Sequence, residues 1–506
     1  MIKKNKALLW VAISTIFFTL LFNNQWIGLN VLIFESLIFG ILYFSKQINL
    51  KNKSIIFITL AYFLTALAVV FVNSTLAIFI NMLICFIAIG ILIFPEARSL
   101  TTTIQLSFYN IFTSQSNALY NISNINKDKK ESSSKFRRIR IFLIPIVIII
   151  IFLIIYSNSN PVFENILSNF IQSINKFLNN IFRYIDIDLS IVILLGLLSS
   201  NYIFFRKTDQ HLENKDKSAN DFLQRIRKRV SRQLNLNSLT NELKAAIFLL
   251  AILNIIILIL NVIDIYWVWF NFSWDGALLK QFVHEGTYLL ILSIIISIII
   301  VLYYFRGNLN FYKNNIWLKR LSYAWIMQNA ILAISVGIRN YWYIYYYSLA
   351  YKRIAVIVFL ILTLYGLYTV YQKVKDKKSA FYLIRSNLRF TVLILVISSL
   401  FNWDTIIARY NFSQSYRAYV HFDFLASLSY KALPYLEKPL AELSAIEKRQ
   451  NNTFPLTRGL YINAIEYKNR IEIKKTDFKK QWESKGILSW NYPEYKAYQK
   501  LFGSNK

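Results

Sequence analysis

Long uninterrupted apolar stretches dominate this chain, separated by short segments that carry most of its charge. A helix needs roughly 20 predominantly apolar residues to cross a bilayer. Such stretches fall near 7–22, 27–44, 55–72, 76–94, 139–156, 187–205, 245–268, 282–305, 321–338, 352–372 and 387–403. The pattern predicts an all-α, polytopic transmembrane helical bundle of about eleven spans.

Two regions break the pattern. Over 161–185, Phe163, Ile166, Leu167, Phe170, Ile171, Ile174, Phe177, Leu178, Ile181 and Phe182 recur at helical spacing opposite Asn, Ser and Gln. That is an amphipathic helix, lying in the membrane interface or packed on neighbouring spans. Residues 404–506 contain no further span. Prolines at 434, 439, 455 and 493 punctuate short helical patterns, and Trp482, Trp490, Tyr492 and Tyr495 offer a small core. Frequent aromatics argue for a folded segment rather than disorder. The expected division is an N-terminal transmembrane region (1–205), a basic cytoplasmic loop (206–244), a transmembrane core (245–403) and a soluble helical extracytoplasmic tail (404–506).

Charge fixes an expected orientation. The chain is 56% hydrophobic and only 16% charged, with a net charge of +31; ordinary domains carry about a quarter charged residues. Lys and Arg fall in alternate connections: Lys3, Lys4 and Lys6; Lys46, Lys51 and Lys53; 127–140; 206–244; Arg306 to Arg320; and Lys373 to Arg389. The positive-inside rule places these connections and the N-terminus in the cytoplasm, and an odd span count places the tail outside. Basic charge without a recognisable nucleic-acid fold does not point to nucleic acid. The RIRKRVSR run at 225–232 instead suits anionic lipid headgroups, or a protein partner not identified by the sequence. The N-terminus imitates a signal peptide but has no small-residue cleavage site, and reads as a retained first span.

The single cysteine, Cys85, rules out an intramolecular disulfide and any thiolate cluster. His211, His284 and His421 are scattered, so no metal site and no cofactor is expected. No nucleotide-binding or hydrolase motif stands in a plausible context.

The candidate chemistry gathers at span ends. In the expected topology Asp264, His284, Glu285, Arg339, Tyr341, Arg353, Asp404 and Arg409 all reach the outer face. Convergent polar groups on an apolar bundle mark a ligand site by default. The competing reading is a structural network, with Asp404 paired to Arg339 or Arg353. Within the spans, Glu35, Asn254, Asn261, Gln328 and Asn329 suit interhelical hydrogen bonds or a polar path.

SLTNELK (238–244), LNVIDIYWVWF (260–270), FVHEGTY (282–288), YYFRGNLNFYKNN (303–315), IMQNAILAISVGIRNYWYI (326–344), LAYKRIAVIVFLILTLYGL (349–367) and FNWDTIIARYN (401–411) together resemble a bacterial polytopic family, frequent in Bacteroidota, catalogued as a domain of unknown function. The resemblance covers about 238–412 and implies an inner-membrane protein without an assigned activity. The expected function is binding of a polar, anionic or lipid-headgroup ligand at the outer face, for transport or sensing. The alternatives are a membrane-embedded enzyme acting on a lipid-linked envelope substrate, or a scaffold. No catalytic motif favours the enzyme.

Overall fold

The computed structural model describes residues 4–123, 161–181, 186–225, 232–272, 276–454 and 462–503, with isolated positions between 149 and 157. Among the described residues there are nineteen α-helices and no strand. Seven helices are long and apolar enough to cross a membrane, and three shorter ones are also apolar.

The first helices are α1 (Lys4–Phe22), α2 (Leu29–Phe44), α3 (Lys53–Phe71), α4 (Thr75–Ile93) and α5 (Leu100–Ser123). Then come α6 (Pro161–Ile181), α7 (Ile187–Phe204) and α8 (Gln210–Ser218). The central helices are α9 (Arg232–Asp264), α10 (Gly276–Tyr304), α11 (Ile316–Tyr347), α12 (Tyr351–Asp376) and α13 (Ala380–Ser399). Beyond them lie α14 (Trp403–Ser413), α15 (Phe422–Ser427), α16 (Leu433–Leu436), α17 (Leu440–Thr453), α18 (Ala464–Glu483) and α19 (Tyr492–Phe502). Each expected span on described residues is a helix; the one at 139–156 falls almost wholly outside them.

The chain forms two compact units. The first comprises Met1–Phe63, Cys85–Glu96 and Thr102–Glu213. Here α1 packs on α7, with Ser14 and Ser200 hydroxyls bonded across the contact and Gly196 admitting Phe18. The α5 helix is absent from the hydropathy pattern because one side of it is a polar stripe, with Thr103, Ser107, Asn110 and Ser114 buried. Its amides reach the backbone of α7: Asn110 donates to Tyr202 O at 2.8 Å and Gln115 to Leu198 O at 2.9 Å. A Cβ at Gly90 would lie 2.1 Å from Thr103 O, so only glycine lets α4 and α5 approach this closely. The amphipathic α6 leaves Ile166, Phe170 and Ile171 exposed among its described side chains.

The second unit comprises Leu64–Ile84, Ala97–Thr101 and Asn214–Lys506. Leu250 and Ile257 of α9, Ile294 and Val301 of α10, Leu332 and Val336 of α11, and Leu367 and Val370 of α12 form one buried core. The outward side of α9 leaves Ile255, Ile259 and Val262 more than half exposed, as a lipid-facing helix requires.

The segment expected as a basic loop is largely ordered. Its last part, from Arg232, is the beginning of α9 rather than a loop, because its Leu and Ala positions continue the helical pattern into the span. Its start contains α8, and two acids hold it in place. Buried Asp216 accepts from the Arg98 and Ser99 backbone amides, while Asp221 pairs with Arg98 at 3.2 Å and Arg385 at 2.9 Å. Most of the RIRKRVSR run lies outside the described residues.

The C-terminal segment is helical around a core different from the expected one. Tyr467, Phe478, Phe422, Leu425 and Leu443 are buried, with Trp482 packed beside them. Tyr492 and Tyr495 are 38% and 40% exposed, which removes them from the core.

Candidate functional site

Among the described side chains, those expected at the outer face are engaged with separate partners rather than around one centre. Asp264 and Arg339 form an ion pair at 2.5 Å between the end of α9 and α11, with side chains only 3% and 6% exposed. A π-helical turn, Ile265–Phe270, follows directly on Asp264. Among the described residues Arg353 neither joins that pair nor binds an acid. It donates to the Tyr347 carbonyl at 2.6 Å and to the Ser348 carbonyl, and lies over the Tyr343 ring, closing the C-terminal end of α11. Asp404 accepts from the Tyr351 and Ser429 hydroxyls instead of an arginine. Tyr341 is exposed among aromatic neighbours. His284 and Glu285 fall in the third turn of α10, which starts at Gly276, rather than in a first turn; their side chains lie outside the described residues.

The intramembrane amides bridge two helices. Asn254 donates to Leu321 O at 3.1 Å and accepts from Gln328 at 2.7 Å, while Asn261 donates to Gln328 O at 3.1 Å. Asn329 bonds within its own helix, to Trp325 O. Glu35 is buried in α2, where Cys85 donates to its carboxylate at 3.1 Å.

Arg409 leads somewhere else. With Lys431, Lys496 and Lys500 it lines a cavity of about 210 Å³ whose other walls include Phe71, Tyr435 and Tyr492. Two helix faces build it. Asn402, Thr405 and Arg409 follow i, i+3, i+7 spacing on and before α14; Tyr492, Lys496 and Lys500 follow i, i+4, i+8 along α19. Lys431 enters from the turn before α16, is 9% exposed, and donates to the carbonyl of Asn73 just past α3.

The charge here is unbalanced. Among the described residues no carboxylate forms an ion pair with any of the four cations, because the neighbouring acids are engaged elsewhere. Glu494 is held by Lys485, Glu437 by Lys475, and Asp404 by the Tyr351 and Ser429 hydroxyls. The Tyr435 hydroxyl instead accepts from both Arg409 and Lys500, the latter at 3.0 Å. Burial raises the Tyr435 pKa, but these two donors and their charges bring it below the ordinary phenol value. Burial lowers the pKa of Lys431; Glu494 and Asp404 oppose that shift from beyond ion-pair distance. Like charges at i, i+4, as at Lys496 and Lys500, cost a helix about 0.2–0.5 kcal/mol. A phosphate or carboxylate seated among these groups removes that repulsion and makes charge-assisted hydrogen bonds.

A family model described as a domain of unknown function, DUF4153, matches residues 7–438. The chain belongs to the DUF4153 family. The match extends the resemblance read over 238–412 through nearly the whole N-terminal half. Searches of curated proteins and of solved structures found no match.

The cavity straddles the end of the DUF4153 match: Arg409, Lys431 and Tyr435 fall inside it, while Tyr492, Lys496 and Lys500 fall beyond it. Sequence reasoning found Arg409 and missed the three lysines. The Tyr492–Lys496–Lys500 face was visible as a spacing, but in a chain with 57 basic residues a pair of lysines carries little information. What marks these lysines is their lack of acidic partners, which only the fold reveals.

Proposed function

We propose that this integral membrane protein of the DUF4153 family binds an anionic group in the Arg409–Lys431–Lys496–Lys500 cavity, at the outer face of the membrane, as a transport or sensing component. The observation that carries the reading is four cations around one cavity with no carboxylate, among the described residues, paired to any of them. The outer placement rests on the loop-charge pattern of the sequence.

A ligand that binds only the folded state stabilises it by mass action, by about 2.7 kcal/mol at a hundred times its dissociation constant. The detergent-solubilised full chain is therefore expected to melt at higher temperature with phosphorylated compounds, lipid or soluble, and not with choline chloride at equal ionic strength. The double substitution Lys496→Gln, Lys500→Gln removes exposed charges and is expected to abolish the gain. An equal gain in the double variant would refute the assignment.

A further inference from the structure

The cavity sits where a membrane-embedded ligand would meet it. Phe71, which forms part of its wall, is the last residue of α3, one of the helices apolar enough to span a bilayer. The Phe71 ring is 52% exposed and lies 5.8 Å from the Tyr492 ring, the aromatic arrangement that favours the level of lipid headgroups. Down the same side of α3, at i−4 and i−7 from Phe71, Leu67 and Leu64 are 39% and 45% exposed. A continuous apolar strip thus runs from the depth of the helix to the rim of a cationic cavity. At about 210 Å³ the cavity is smaller than the roughly 300–1,000 Å³ of sites that enclose a whole drug-sized ligand, so a charged head fits while its tail stays outside.

We infer that the anion, on the reading proposed above, is the phosphate headgroup of a membrane lipid bearing about two negative charges, with its acyl chains along the Leu64–Leu67–Phe71 strip. Four cations leave a singly charged phosphodiester overmatched, whereas a phosphomonoester or diphosphate head offers several acceptor oxygens and more than one charge. Arg409 is the group able to hold two phosphate oxygens at once; the lysines act as point charges around it.

Three probes separate the sources of charge: phosphatidic acid has both chains and a phosphomonoester, phosphatidylcholine has chains and no net charge, and inorganic pyrophosphate has charge and no chains. Each is titrated onto the delipidated full chain in detergent, with bound lipid counted by native mass spectrometry and pyrophosphate by isothermal titration. The expected result is saturable phosphatidic acid binding, weakened at least about tenfold by Lys496→Gln with Lys500→Gln, with both other probes at least about tenfold weaker on the native chain. Pyrophosphate binding as tightly as phosphatidic acid would overturn the lipid assignment and leave the anion site standing. Equal binding of phosphatidic acid to the double variant, with no pyrophosphate binding, would overturn both.

Discussion

Asp264 and Arg339, both candidates for ligand binding in the sequence, are partners of each other in the fold. A charge buried in an apolar bundle costs several kcal/mol unless it is paired, and the pairing here is direct and nearly dry. Among the described residues one oxygen of Asp264 has no hydrogen-bond partner, so within them the pair is not fully compensated. Truncating one partner, as in Asp264→Ala, is expected to cost about 3–5 kcal/mol, because it strands the other charge. Replacing both with apolar residues of similar size, Asp264→Leu with Arg339→Met, should restore most of that loss. Unfolding of the solubilised protein by denaturant measures both. A double variant as unstable as the single one would show that the charges do more than neutralise each other. The sequence named both residues, yet it could not say that each was the other's partner, because their pairing depends on the angle at which α9 and α11 face one another.

At the scale of the element, the transmembrane helices were legible because bilayer thickness demands a long apolar run, and such runs are visible without knowing what packs against them. The helix α5 was not legible: Thr103, Ser107, Asn110 and Ser114 make it polar on one side, and its neighbours satisfy it, as where Asn110 donates to Tyr202 O of α7 and Ser107 to Phe86 O of α4. The small C-terminal helices depend equally on context, and α15 is an instance. His421 caps it, with Nδ1 accepting from the Phe424 amide at 3.3 Å. Burial lowers the pKa of His421; nearby Asp423 opposes the shift and Arg353 adds to it. A folded-state pKa below the unfolded one favours the neutral ring in the native state. The stabilisation is therefore complete above the unfolded value of about 6.5 and fades as pH falls through the lower folded value. Protonation also removes the lone pair that caps the helix. Asparagine keeps a capping acceptor and does not titrate, so His421→Asn is expected to flatten the fall in melting temperature below about pH 6.5. Parallel pH profiles for the two proteins would contradict this origin.

For the molecule as a whole, the bond from Lys431 to the Asn73 carbonyl links the turn after α3 to the C-terminal helices. The bundle was readable from the sequence in outline, although the apolar run at 139–156 lies almost wholly outside the described residues. The cavity was not, because its walls come from residues more than 400 positions apart, Phe71 and Lys500, and the charges that mark it are ones no described acid pairs with. The most direct test of anion binding there uses a reporter that removes no charge. In a Cys85→Ser background, Tyr492→Cys places the one thiol on the cavity wall, and its alkylation rate is followed in the solubilised full chain with and without short-chain phosphatidic acid. The lipid is expected to slow alkylation saturably, and Lys496→Gln with Lys500→Gln to cancel the protection. Alkylation at the same rate with and without the lipid would contradict anion binding in the cavity.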